Sequence, residues 1–202
     1  FTFSDLEGQL DYLQQLGIST IYASPIFEAA PDSMHGYDVT DPHRINPAIG
    51  TIEQLRQLHT QLSARGMSWI QDIVPNHMAL HCRNSRLMDA LERGAASPFY
   101  NYFDIDWHHP DPSLKGKLML PFLGKPLPEA IAAGDIQLTC SKEGLGITVN
   151  GQTFPLSAHS YSFLLKVLPP GNEVWLDALY RQILQKRSLP EWQQHKLSLL
   201  PE

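Results

Sequence analysis

Met67-Ser68-Trp69-Ile70-Gln71-Asp72-Ile73-Val74-Pro75-Asn76-His77 is the stretch that decides the fold. From Met67 to Val74 it reads as a strand buried on both faces. Asp72 lies inside that strand, where an unpaired carboxylate would cost several kcal/mol, on the order of 2–7. It therefore has to face the mouth of a barrel or a buried cation such as arginine. Pro75 fixes the exit of the chain and sets Asn76 and His77 over the end of the sheet. His77 taken alone also fits a hydrogen-bonded loop histidine.

Upstream, Thr51 caps a helix, Gln54 completes its capping box, Leu55, Leu58 and Leu62 form its apolar stripe and Gly66 closes it. Ile18 to Ser24 is β-branched and aromatic, stops at Pro25 and reads as another strand buried on both faces. Ser4-Asp5-Leu6-Glu7 is a candidate capping box, and Leu6, Leu10, Leu13 and Leu16 before Gly17 predict a helix over 5–16. Helix, strand, long loop, helix, strand is the grammar of parallel α/β structure, in a barrel or an open sheet. The Pro25–Gly50 connection exceeds the roughly 12–15 residues usual for a structureless loop, so it is expected to be functional. It carries His35-Gly36-Tyr37-Asp38-Val39-Thr40-Asp41. A sugar ring offers apolar faces and a girdle of hydroxyls, which a flat aromatic (Tyr37) and an acceptor (Asp38) would meet, with Gly36 letting the backbone turn beneath. The same tetrapeptide also fits a plain turn with a half-buried tyrosine.

With 202 residues, 43% hydrophobic and 18% charged, and a net charge of −6, the chain can bury a core and lacks a basic footprint for nucleic acid. No apolar run approaches the ~20 residues of a membrane span. Phe1 to Leu6 do not resemble a signal peptide, and two cysteines, Cys82 and Cys140, are too few for a disulfide framework, which favours a cytoplasmic location. His77, His81 and Cys82 lie close together and His108-His109 follows Asp106, yet neither group has a recognised ligand spacing, so no metal or cofactor is expected.

After His77 the texture changes. Ser85 to Arg93 predicts a short helix ended by Gly94, followed by Pro- and aromatic-rich sequence through Phe103-Asp104-Ile105-Asp106-Trp107 and Leu114 to Gly124. Asp135–Cys140, Gly146–Asn150 and Gln152–Leu156 predict a small antiparallel sheet, with Asn150-Gly151 as a type I′ turn, and Asn172 to Arg187 a final helix. Phe99, Tyr100, Tyr102, Phe103 and Trp107 form either a stacking wall or a small local core. Asp104 and Asp106, two apart on an extended segment, read as a solvated acidic face. Trp69 reads as core or helix-facing packing.

Taken together, Ser24-Pro25-Ile26, His35-Gly36-Tyr37-Asp38-Val39, Arg44-Ile45-Asn46-Pro47, Asp72-Ile73-Val74-Pro75-Asn76-His77 and Tyr102-Phe103-Asp104-Ile105-Asp106-Trp107 resemble the α-amylase superfamily, glycoside hydrolase family 13. The resemblance runs with few gaps from Phe1 to about Gly124 and more loosely to about Arg187. It implies a partial (β/α)8 TIM barrel in residues 1–77. An irregular α+β subdomain would be inserted after the third barrel strand in 78–170, followed by a helical segment in 171–202.

The resemblance also implies that Tyr37, Asp38 and His77 bind the sugar whose bond is cut. Asp72, Asn76 and His35 would support the site from behind, Asp72 by pairing with an arginine of a later strand. Asn76 matches a position that binds calcium in many amylases, but no Asp/Asn-rich loop completes such a ligand set. Asp32 and Met34 depart from the small residues expected before His35. No match to the family's nucleophile and acid/base carboxylates follows His77, so these are expected beyond Glu202 and the chain alone is expected to be inactive. Of the internal pairs, Asp38 with Asp72 and Asp104 with Asp106, neither is a persuasive substitute. The branch resembled most acts on maltooligosaccharides, converting the reducing-end α-1,4 bond to α-1,1 by intramolecular glucosyl transfer. Another hydrolase or transglycosylase of the family, or a truncated carbohydrate-binding chain, are the alternatives.

Overall fold

The computed structural model describes residues 1–141, 144–157, 160–161 and 163–164. The helix expected between Asn172 and Arg187 lies outside them. The chain divides into two compact units, Phe1–Ser85 and Arg86–Glu202.

The first unit opens with α1 (Phe3–Glu7) and α2 (Leu10–Gln15). The single helix expected over 5–16 is thus broken, and it begins earlier. Thr2, not Ser4, is the N-cap: its hydroxyl accepts the Asp5 N–H at 3.2 Å, and Asp5 accepts the Thr2 N–H at 2.7 Å. The earlier start places Phe3 in the core at 5% exposure. Ser4 and Glu7 are thereby freed to accept hydrogen bonds from Gln54 and Gln61 of the helix over Ile52–Ala64. At Gly8 the ladder changes step, with Gln9 N–H bonding the Leu6 carbonyl three residues back at 2.9 Å. Glycine is a weak point in a helix, costing about 0.5–1 kcal/mol relative to alanine.

Strand β1 (Thr20–Ala23) ends where Pro25 begins the long connection, and that connection is a hairpin of β2 (Phe27–Ala29) and β3 (Val39–Ile45) rather than an unstructured loop. Its ladder is irregular: Phe27 pairs with Ile45 but Glu28 with Asp41, so residues 42–44 bulge out. Pro42, which has no N–H to donate, lies in that bulge. The alternation signal was weak because of this interruption. Helix α3 (Ile52–Ala64) carries the expected Thr51/Gln54 capping box, and β4 (Ser68–Gln71) follows Gly66.

β1 and β4 pair in parallel, Thr20 with Ser68 through Ala23 with Gln71. On one face, Ile21 and Trp69 pack against the core of Phe3, Leu10, Ile26, Leu58, Leu62 and Met67. Trp69 is therefore helix-facing, as expected. The other face carries Tyr22 and Ile70, which are 68% and 53% exposed. The expectation of burial on both faces fails here, because the helices pack on one side and no described element covers the other.

The second unit contains α4 from Arg86 on (Ser85–Arg93), followed by a 3₁₀ turn from Gly94, α5 (Leu127–Ala132), and a sheet β5 (Ile136–Ser141), β6 (Gly144–Val149), β7 (Gln152–Pro155). The sheet is antiparallel in the order β5-β6-β7. Asn150 and Gly151, at φ 50° and 74°, make the expected two-residue turn between β6 and β7. α5 was not foreseen; its Pro126 and Pro128 obscured a helix that proline tolerates in its first turn. Tyr100 and Trp107 stack on each other at 4.6 Å, and the Trp107 indole N–H donates to the Tyr100 carbonyl. Both rings are half-buried. Asp104 and Asp106 are both exposed.

Leu62 is 1% exposed at the centre of the first unit. Leu62→Ala is expected to lower stability by about 2–5 kcal/mol, the usual range for emptying a core position. Urea unfolding followed by tryptophan fluorescence reads it.

Candidate functional site

The carboxyl edge of the β1–β4 ladder is where the sequence places its chemistry. Pro25 ends β1 and is buried. The tip of the β2–β3 hairpin folds back across it, closed at its base by the Ala30 N–H bonding the Asp38 carbonyl at 2.9 Å. Gly36 makes the approach possible: its φ is +77°, and a Cβ there would lie 2.4 Å from the Pro25 carbonyl oxygen. Ser33 pins the tip from within, donating its hydroxyl proton to Asp38 Oδ1 and accepting the Gly36 N–H at 3.1 Å.

This fold-back delivers Tyr37 to Asp72. The Tyr37 hydroxyl donates to Asp72 Oδ2 at 2.6 Å, the short distance expected of a charge-assisted O–H···O⁻ bond. Tyr22 of β1 lies on the same sheet face as Asp72. The Tyr37 bond is the largest influence on Asp72, which is held below the ordinary carboxylate range. The Tyr37 phenol is correspondingly pushed above its ordinary range, first because its neutral form donates to Asp72, then by burial and by the facing carboxylate charge. Among the described residues the side-chain hydrogen bond of Asp72 is thus to Tyr37, and the arginine that the resemblance implies belongs to a later strand.

His35 supports the tip by accepting the Tyr37 N–H on Nδ1 at 3.0 Å, with its ring 5.9 Å from the Tyr37 ring. That lone-pair role means the same nitrogen, 3.8 Å from Asp38 Oδ1, makes no ion pair while it accepts. Asp38 is about one-third exposed, with one oxygen bound by Ser33.

Beyond β4, Ala79 N–H bonds the Val39 carbonyl at 2.8 Å and stitches the segment after Asp72 to the start of β3. His77 is exposed, with Nδ1 3.1 Å from Asn76 Oδ1. Because an amide oxygen only accepts, Nδ1 carries the proton; Nε2 of the neutral ring is then an acceptor and becomes a donor on protonation. His81 is held below the ordinary imidazole range first by burial and then by the charge of Arg83, with the Asp38 carboxylate opposing. Tyr37 and Asp72 therefore meet directly, Asp38 lies within electrostatic reach of His81, and Asn76 and His77 hold each other. Among the described residues no group of three or more His, Cys, Asp or Glu could hold a metal ion. No described helix is long and apolar enough to cross a membrane.

Tyr22, Ser33 and His81 were not foreseen at the site. For Tyr22 the signal existed: counted by twos, it shares a sheet face with Ile70 and, one pair further, Asp72.

Comparison with known proteins follows the same contour. Residues 3–123, more than half of the chain, match the family model "Alpha amylase, catalytic domain". The chain belongs to the α-amylase family. A Mycobacterium tuberculosis protein bearing the name maltooligosyl trehalose synthase is 44% identical over 126 residues, 61% of this chain and 16% of its own length. Among solved structures, the DSM5389 glycosyltrehalose synthase matches with a TM-score of 0.70 and 42% identity, over 83% of this chain and 22% of that one. The maltooligosyltrehalose synthase of Arthrobacter ramosus matches with a TM-score of 0.65 and 35% identity, over 78% and 20%. The chain thus spans about a fifth of the length of the relatives it matches. Its architecture is part of an α-amylase catalytic barrel.

Gly36 and Gly17 separate two costs. Both have positive φ, but a Cβ at Gly17 meets nothing within 4 Å. Gly17→Ala should cost about 1–2 kcal/mol for the left-handed backbone alone. Gly36→Ala should cost a further ~1–3 kcal/mol for the clash with Pro25. Equal losses in paired urea titrations would contradict the fold-back.

Proposed function

We propose that this chain supplies the first part of the barrel and one side of the sugar site of a maltooligosyl trehalose synthase, which converts the reducing-end α-1,4 bond of a maltooligosaccharide to α-1,1. One observation carries this assignment within the family. The likeness to glycosyltrehalose synthase extends over 83% of the chain, well past residue 123 where the general family match ends. The region beyond the first barrel strands is where members of one superfold differ in chemistry. Residues 1–77 are the barrel portion in this assignment and the chain from 78 on begins the inserted α+β subdomain, in a cytoplasmic enzyme without a metal or cofactor.

Tyr37 lies against the apolar face of the sugar at the point of cleavage, while Asp38 and His77 meet its hydroxyls. Asp72 holds Tyr37, Asn76 orients His77 and His35 braces the tip. The reaction is a double displacement. A carboxylate supplied outside this chain takes the longer glycosyl segment, the freed glucose reorients, and its anomeric hydroxyl attacks the intermediate. Exclusion of water during the reorientation is the physical requirement, since water would attack the same carbon.

Maltopentaose incubated with the enzyme expressed from its full reading frame tests the assignment. Reducing ends should disappear while the chain length stays constant. Shorter reducing sugars would instead identify a hydrolase of the same family. The chain alone, at high concentration, should give no product above buffer.

His77→Ala in the full enzyme should lower kcat and kcat/KM together, because hydrogen bonds to sugar hydroxyls strengthen in the transition state. A lower melting temperature with kcat within about twofold, worth only ~0.4 kcal/mol, would reduce His77 to a brace for the loop.

A further inference from the structure

Asp38 is gripped twice by a single four-residue turn, once by its main chain and once by its carboxylate. The turn runs from Ala30 to Ser33 and is closed by the Ser33 N–H on the Ala30 carbonyl at 3.2 Å. Pro31 takes its first central position, and Asp32, at φ 62°, supplies the positive φ that a type II turn requires at the second. The first residue of the turn fixes the Asp38 backbone, the Ala30 N–H bonding the Asp38 carbonyl at 2.9 Å. The last fixes the side chain, the Ser33 hydroxyl donating to Asp38 Oδ1.

The serine hydroxyl has one proton, and it goes to the carboxylate, while its lone pairs accept the Gly36 N–H at 3.1 Å. The Gly36 amide thereby fixes the hydroxyl with its proton aimed at Oδ1. The nearest alternative donor to that oxygen is His35 Nδ1 at 3.8 Å. That nitrogen accepts the Tyr37 N–H at 3.0 Å and so carries no proton to give. The terminal torsion of an aspartate is broad and roughly two-fold, so a carboxylate with neither oxygen held presents either one. With Oδ1 held, Oδ2 is left to meet a ligand, on a side chain about one-third exposed.

We propose that Ser33 is a positioning residue: by holding Oδ1, it turns the Asp38 carboxylate so that Oδ2 meets a hydroxyl of the sugar at the point of cleavage, Asp38 having the role assigned under the proposed function. A carboxylate free to rotate still attracts sugar hydroxyls, so ground-state affinity changes little. What is lost is the fixed direction of the bond that strengthens in the transition state, and small misplacements of that kind are costly in rate.

Ser33→Ala in the full polypeptide should lower kcat on maltopentaose about 5- to 20-fold, with KM within about threefold. In an Asp38→Ala background the same change should add less than about twofold, because the group through which Ser33 acts is gone. Ser33→Thr keeps the donor and should hold kcat within about threefold of the parent. A lower melting temperature with kcat within twofold, an equal loss in both backgrounds, or a threonine variant as slow as the alanine one would overturn the proposal. A second arm does not depend on the substrate. Crystal structures of the sugar-free parent and Ser33→Ala should show one Asp38 carboxylate orientation in the parent and a rotated or divided one in the variant. The same single orientation in both would overturn the proposal. A parent enzyme that makes no trehalose-ended sugar would overturn the proposed function alone, leaving the crystallographic arm to decide for Ser33.

Discussion

The parallel ladder between Thr20–Ala23 and Ser68–Gln71 is the constraint from which the rest of the first unit follows. Parallel neighbours cannot be joined by a tight turn, so the chain between them has to return across the sheet, and α3 makes that return. Leu58 and Leu62 then bury against Phe3, Leu10 and Met67, and the sheet acquires an apolar side and an open side. The same parallel sense puts the carboxyl ends of both strands at one edge. Asp72 and the hairpin after Pro25 therefore emerge beside each other without any special device.

The hairpin turns that proximity into a site. Its tip crosses Pro25 only because Gly36 has no Cβ, and Ser33 locks the crossing by serving Asp38 and the Gly36 amide together. A carboxylate at the edge of a sheet would ordinarily be satisfied by water or a cation. Here it accepts from the phenol of Tyr37 at the hairpin tip, and this joins two elements far apart in sequence through a single side chain. The exposed Tyr22 and Ile70 belong to the same open face. That one-sided packing suits a sheet that forms part of a barrel, the architecture shared with the α-amylase family.

What was legible in the sequence follows from how local each signal is. Helix α3 and its cap were readable because Thr51, Gln54 and the leucine stripe all lie within four residues of their partners. The β6–β7 turn was readable because Asn150-Gly151 selects its own conformation. The strands were readable as apolar runs, but their two-sided burial was not, since coverage depends on elements elsewhere. The start of α1 was misread because Ser4 and Thr2 are both chemically competent caps, and the choice between them is made by burying Phe3. The β2–β3 hairpin was hidden by the bulge at Pro42, which breaks the alternation a strand is recognised by. At the site, Tyr37, Asp38, Asp72 and His77 were named from their motifs, whereas the partners of Asp72 were not. Asp72 itself lies one residue past the end of β4 and is only partly buried, so the expectation of a carboxylate inside a buried strand fails, and which group it meets is a tertiary fact.

The central claim is that the carboxyl edge of β1 and β4 is a sugar subsite built on Tyr37. A crystal structure of the full polypeptide with a bound, non-cleavable maltooligosaccharide tests it most directly. One glucose ring should lie flat against Tyr37, with hydroxyls within hydrogen-bond distance of Asp38 and His77 and with Asp72 still holding the phenol. A sugar bound elsewhere, with Tyr37 facing away from it, would contradict the account.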